Sequence, residues 1–208
     1  FDPFIAQVLF ISAGSILSIG SLLILRQEPT LHAAALALGA ISWLVGSLVW
    51  AASGAIPHAV PWWMGFLVLT IAGERLDLTR FLPTPRAAKP LFIVIVATML
   101  AGMLVAFRFD DIGLRIFAFG LLALALWLLR HDIARRTLRQ AGLTRFIAAC
   151  LLSGYLWLAL GASFGLSGGL APGSALRDAA LHAVFLGFVF SMIFGHALII
   201  FPAVAKIR

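Results

Sequence analysis

Seven stretches of roughly twenty residues carry almost no charge, and they restrict what this chain can become more than any motif in it. The runs 91–107 and 146–166, for example, contain no Asp, Glu, Lys or Arg. At ~1.5 Å per residue, twenty helical residues span ~30 Å, the thickness of a bilayer's hydrocarbon core. In lipid, every backbone N–H and C=O must be paired within its own segment or around a closed barrel. Barrel strands alternate apolar and polar residues over about ten positions. These runs are about twice that length and do not alternate. The expected fold class is therefore all-α: a polytopic membrane protein with seven transmembrane helices. Composition agrees, with 62% hydrophobic and 11% charged residues, where soluble domains carry about 25% charge. Mean hydropathy is +1.09.

The helices are expected at about 4–25, 30–53, 58–73, 91–107, 112–129, 146–166 and 175–205. Together they read as one transmembrane domain over 1–208. Pro61-Trp62-Trp63 near the start of the third reads as an interfacial aromatic pair. The first run lacks a basic leader and a small-residue cleavage site, so it reads as a helix rather than a signal peptide. A first residue other than Met suggests a processed chain or part of a longer one.

Net charge is +7. In a soluble protein that balance would suggest nucleic acid. Here the basic residues sit in short loops between apolar runs, so no nucleic-acid partner is expected. The connections after helices 1, 3, 5 and 7 hold Arg26; Arg75, Arg80, Arg86 and Lys89; Arg130, Arg135, Arg136, Arg139 and Arg145; and Lys206 with Arg208. Those after helices 2, 4 and 6 hold no base, or bases offset by Asp110, Asp111 and Asp178. The positive-inside rule then puts the N-terminus outside and the C-terminus in the cytoplasm, in a bacterial inner membrane. Residues 130–145 read either as a short amphipathic helix on anionic headgroups or, more simply, as a basic cytoplasmic loop. The single cysteine, Cys150, forms no internal disulfide.

Chemistry points to the five histidines. His182 and His196 are fourteen residues apart on the last helix. At ~100° per residue they fall within ~40° of each other and ~21 Å apart along the axis. Two imidazoles on one face, one in each leaflet, suit two stacked b-type haems. His58 enters helix 3 from the outside, where it would approach His182. His32 and His131 lie at the inside, where either would approach His196. The expected cofactor-binding residues are His182, His196, His58 and His32. The plainer alternative is that these histidines are satisfied by neighbouring polar groups. Asp178 precedes His182 by four residues and shares its face; a carboxylate on one ring nitrogen would leave the other for a metal. It would equally favour the positive end of the helix dipole.

Met64, Met99, Met103 and Met192 are possible axial ligands, outweighed by a packing role. Phe185, Phe188, Phe190, Phe194 and Phe201 would wall a macrocycle or face lipid. Gly187 and Gly195 would admit a flat ring or, more commonly, another helix. Glu74 reads as a partner of Arg75 and Arg80 rather than a proton relay. Both lysines, Lys89 and Lys206, flank helices, which removes a retinal Schiff base. Without a Cys-x-x-Cys-His motif, covalent haem attachment is not encoded. No catalytic residue is assigned.

The run from His182-Ala183-Val184-Phe185-Leu186-Gly187-Phe188 through Ile193, Gly195 and Pro202 resembles the histidine-bearing helices of NnrS-type proteins. Those are polytopic haem- and copper-containing membrane proteins associated with nitric oxide. Phe194-Gly195-His196, followed by Ile199-Ile200-Phe201-Pro202, is similar to a segment of haem-copper oxidase subunit I whose histidine binds copper. The resemblance covers one helix and implies metal-ligand roles for His182 and His196. The Pro-Glu-Val-Tyr that follows this histidine in the oxidases is replaced by Ala197-Leu198-Ile199-Ile200, which favours haem alone over a copper-haem centre. The expected function is transmembrane electron transfer by one or two b-type haems, within a respiratory or nitrogen-oxide-handling complex. Its partners would be membrane subunits or a cytochrome. The alternative is a non-catalytic structural or assembly subunit. A carrier ranks last, because no interrupted helix pair is evident.

Overall fold

The computed structural model describes residues 3–78 and 85–205, with Ile199, Pro202 and Ala203 by backbone only. The basic residues Arg80, Lys206 and Arg208 lie outside the described residues. Within them every regular element is a helix. Seven helices are long and apolar enough to cross a membrane. Contacts gather the chain into two compact units, Phe1–Arg80 and Phe81–Arg208.

The first unit contains α1 (Pro3–Gln27), α2 (Leu31–Ser53) and α3 (Ile56–Leu78). Thr30 caps α2 by accepting the Ala33 N–H at 3.3 Å, which satisfies one of the orphan donors of the first turn. Gly54 ends it at φ 66°, a conformation that favours glycine. α1 buries Gly14 and Ser18 and exposes Phe4, Leu9, Ile16, Ile19 and Leu23, as a lipid-bathed helix does. The tryptophan pair read as interfacial packs against α2. α3 begins at Ile56, so Trp62 and Trp63 lie well into it. They fill the notch left by Gly46, where a Cβ would stand 2.8 Å from each side chain. Trp62 is buried, and the Trp63 indole N–H donates to the Ser47 hydroxyl at 3.4 Å.

The second unit begins with a hairpin of α4 (Ala88–Val105) and α5 (Asp110–His131). Their backbones nearly touch. A Cβ on Gly102 would overlap the backbone of Phe117, and one on Gly113 that of Ala106. Close approach of this kind is the usual basis of helix association in lipid. At the other end of the hairpin, the Trp127 indole N–H donates to the Ala88 carbonyl at 3.0 Å. This bond holds the start of α4 against the last turn of α5.

Beyond α5, the Asp132 carboxylate is buried. It accepts the Ala134 N–H at 2.7 Å and the Tyr155 hydroxyl at 2.8 Å. These bonds set a single helical turn, α6 (Ala134–Thr137), against α7 (Leu143–Phe164). The surface helix considered for 130–145 is thus only four residues long. α7 runs on into a π-helical stretch, Gly165–Gly169. The last helix is built of α8 (Arg177–His182), a second π-helical stretch (Ala183–Val189) and α9 (Phe190–Ala205). It packs on α7 at Gly154, which faces Met192, and at Gly161, which faces Val184.

The Tyr155 bond to a buried carboxylate should matter to stability, because hydrogen bonds to charged groups contribute about 1.5–3 kcal/mol. Tyr155→Phe is expected to destabilise the purified protein by about 2 kcal/mol, read as a lower unfolding midpoint in neutral detergent.

Candidate functional site

The last helix does not turn at the usual pitch. Its buried positions Ala180, Val184, Phe188 and Met192 recur every four residues, and so do the exposed positions His182, Leu186, Phe190 and Phe194. An α-helix repeats every 3.6 residues; the wider π-helical turn at Ala183–Val189 stretches the repeat. The stretch takes up about one residue more than an α-helix would, so the fourteen residues turn through about thirteen α-helical steps and leave the two rings ~140° apart. His182 and His196 therefore do not share a face, which corrects the expectation drawn from an ideal helix. His182 stands on the exposed stripe. His196 follows Met192 on the buried one and is half-buried.

Both rings are held in the same way. His182 Nδ1 lies 2.6 Å from the Asp178 carbonyl oxygen, and His196 Nδ1 lies 2.5 Å from that of Met192. His131 repeats the arrangement with the Trp127 carbonyl at 2.9 Å. A carbonyl only accepts, so each Nδ1 carries a proton, and the tautomer this selects has its lone pair at Nε2. The anchor of His182 is thus the backbone of Asp178, where a carboxylate anchor was expected. The Asp178 side chain sits in the first turn of α8, where the helix dipole favours negative charge.

His32 and His58 belong to the first unit. His32 has a partner near each ring nitrogen: Asp77 Oδ1 is 3.4 Å from Nδ1, and Thr30 Oγ1 is 3.5 Å from Nε2. His58 is exposed in the first turn of α3. Among the described residues, no three His, Cys, Asp or Glu side chains gather closely enough to hold a metal ion. All four methionines are buried in the core, in keeping with packing. Glu74 is exposed.

A groove of about 520 Å³ runs between α7 and the last helix. His182 lines it together with Trp157, Leu160, Leu186, Phe190 and Phe194. It is almost wholly apolar, and its volume falls within the range of small-molecule and cofactor sites. Of the five phenylalanines singled out in the sequence, Phe190 and Phe194 line it, while Phe188 is buried in the core and Phe201 is exposed. Gly187 fixes one wall, since a Cβ there would lie 2.5 Å from Trp157 Cγ. The glycine therefore serves helix contact.

Two polar pairs escaped sequence reasoning: Asp77 with His32, and Asp132 with Tyr155. The second left a signal, because Tyr155 is the chain's one tyrosine and lies within an uncharged run. Gly187→Ala should displace Trp157 from that wall. The expected cost is about 1–3 kcal/mol, typical of overpacking, with a shifted tryptophan emission; both are read on the protein in neutral detergent.

No curated protein and no solved structure matches the chain. One family model does, described as "Domain of unknown function (DUF8744)", and it matches residues 1–208. The chain belongs to that family.

Proposed function

We propose that the protein is an integral membrane electron carrier that binds a b-type haem at His182. The observation that carries this reading is the state of the ring. Metal-bound histidines nearly always donate their other ring N–H to a carboxylate, carbonyl or water. His182 does so to Asp178, and it lines an apolar groove of cofactor size. The donor set fits the group: one imidazole lone pair, aromatic walls at Trp157, Phe190 and Phe194, and little competing polarity. When bound, the haem iron supplies one-electron redox chemistry. The chain's own part is to fix the tautomer through the Asp178 carbonyl and to surround the ring with apolar side chains that exclude water.

Among the residues lining the groove, His182 is the one imidazole. His196 carries the same Nδ1–carbonyl bond and is the candidate ligand of a second haem. It faces another side of the helix, so it would hold a haem apart from the His182 groove. His32, beside Asp77, would have to leave that pair to act as a ligand.

The proposed orientation follows from charge. Arg86, Lys89 and the arginines of 130–145 flank the end of the second unit where α5 finishes. Near the start of α5 and of α8, Arg108, Arg115 and Arg177 are balanced by Asp110, Asp111 and Asp178. The basic end would face the cytoplasm of a bacterial inner membrane. Membrane subunits or a cytochrome in a respiratory or nitrogen-oxide-handling complex would then exchange the electron.

Reduced-minus-oxidised spectra of the purified protein test the reading, with a b-type Soret and α band expected. His182→Ala should lose one haem equivalent, and His196→Ala should lose a second if two are bound. Full haem content in His182→Ala would sink the assignment. Haem-free protein that stays bound to a larger complex would favour the structural-subunit alternative.

A further inference from the structure

The cationic end of the second unit has features that a basic loop does not require. Five arginines lie between residues 130 and 145, all exposed. The Trp127–Ala88 bond brings the exposed Arg86 and Lys89 at the start of α4 to the same end. Among the described residues, none of the five arginines has an ion-pair partner. The one carboxylate in the segment, Asp132, is 4% exposed and engaged by Tyr155 and Ala134. It forms no ion pair with the guanidinium groups and is withdrawn from the surface.

We propose that this end is a binding surface for the headgroups of anionic phospholipids. The Asp132 bonds bury Ala134 and leave Arg135, Arg136 and Arg139 outward. Leu138, Leu143 and Phe146 stand exposed among the arginines, at 37%, 48% and 47%. A guanidinium fork matches phosphate oxygens in bidentate fashion, and neighbouring apolar side chains reach the acyl boundary. Basic and large apolar residues interleaved in this way mark an interfacial segment. A surface for nucleic acid or an acidic protein needs the cations but gains nothing from exposed leucine and phenylalanine. The proposal does not depend on haem binding at His182.

The test uses the full chain in neutral-detergent micelles with equal amounts of phosphatidylglycerol and phosphatidylcholine, and reads retained lipid by native mass spectrometry. Each basic residue near an anionic surface strengthens binding about fivefold. The wild type should retain phosphatidylglycerol over phosphatidylcholine by at least about tenfold. The triple variant Arg135→Gln/Arg136→Gln/Arg139→Gln should fall to near parity, while Arg108→Gln, outside this surface, should keep the wild-type preference. If the triple variant does not fold, Arg139→Gln alone should lose about fivefold. Equal retention of both lipids by the wild type would overturn the proposal, as would a preference that survives the arginine substitutions. Displacement of phosphatidylglycerol by millimolar inorganic phosphate would overturn the lipid assignment in favour of a phosphate-ion site. Equal retention of the two lipids by protein that binds polyglutamate or an oligonucleotide would assign the surface to a soluble partner instead.

Discussion

Apolar side chains gain little by leaving lipid for one another, so helices in a bilayer hold together largely through how closely they approach. That constraint governs both units. Gly102 and Gly113 let α4 and α5 meet backbone to backbone, and Gly154, Gly161 and Gly187 let the last helix settle against α7. In the first unit Gly46 receives two indoles. None of these contacts tolerates an added methyl group without a neighbour moving. The polar bonds that supplement them, from Trp127 to Ala88 and from Tyr155 to Asp132, are few. They sit near the end of α5, where the chain must reverse.

The candidate site is a by-product of this packing. The last helix keeps Ala180, Val184, Phe188 and Met192 inward over three turns, and it does so by widening its pitch. The stripe left outside carries one imidazole and a run of large apolar side chains, and together with Trp157 these form the groove. The hydrogen bond from His182 to the carbonyl four residues earlier is the ordinary way for a helical histidine to satisfy one nitrogen. Here it also fixes the orientation of a ring that lines the groove.

The spans were legible in the sequence because lipid leaves a chain few options. Long uncharged runs must be helices, and the described helices start and end within about five residues of the expected positions. The largest slip is at the end of α3, which continues through Glu74, Arg75 and Asp77 to Leu78; charges there stop the apolar run without stopping the helix. The histidine geometry was not legible, for a different reason. Between residues 180 and 196 nearly every side chain is apolar, so the pattern carries no phase and cannot distinguish a 3.6-residue repeat from a four-residue one. The Nδ1 partners were hidden as well, because a backbone carbonyl is present at i−4 whatever residue occupies that position. The packing of the Trp62–Trp63 pair was not legible, because aromatic residues near a predicted helix start resemble an interfacial belt and give no sign of a helix partner. What decides their position is Gly46, a residue on another helix.

The seven-residue wide-turn stretch has a further consequence. A π-helical segment holds about one residue more than the α-helix it replaces. Shortening Ala183–Val189 by a single residue would let it close up as ordinary α-helix without turning α9 about α8, and His182 and His196, then thirteen residues apart, would still differ by ~140° about the axis. Chain length in that short interval can thus change by one residue while the flanking helices keep their registers. The extra residue is absorbed where it sits, so the faces that α8 and α9 turn to α7 are kept on either side of it.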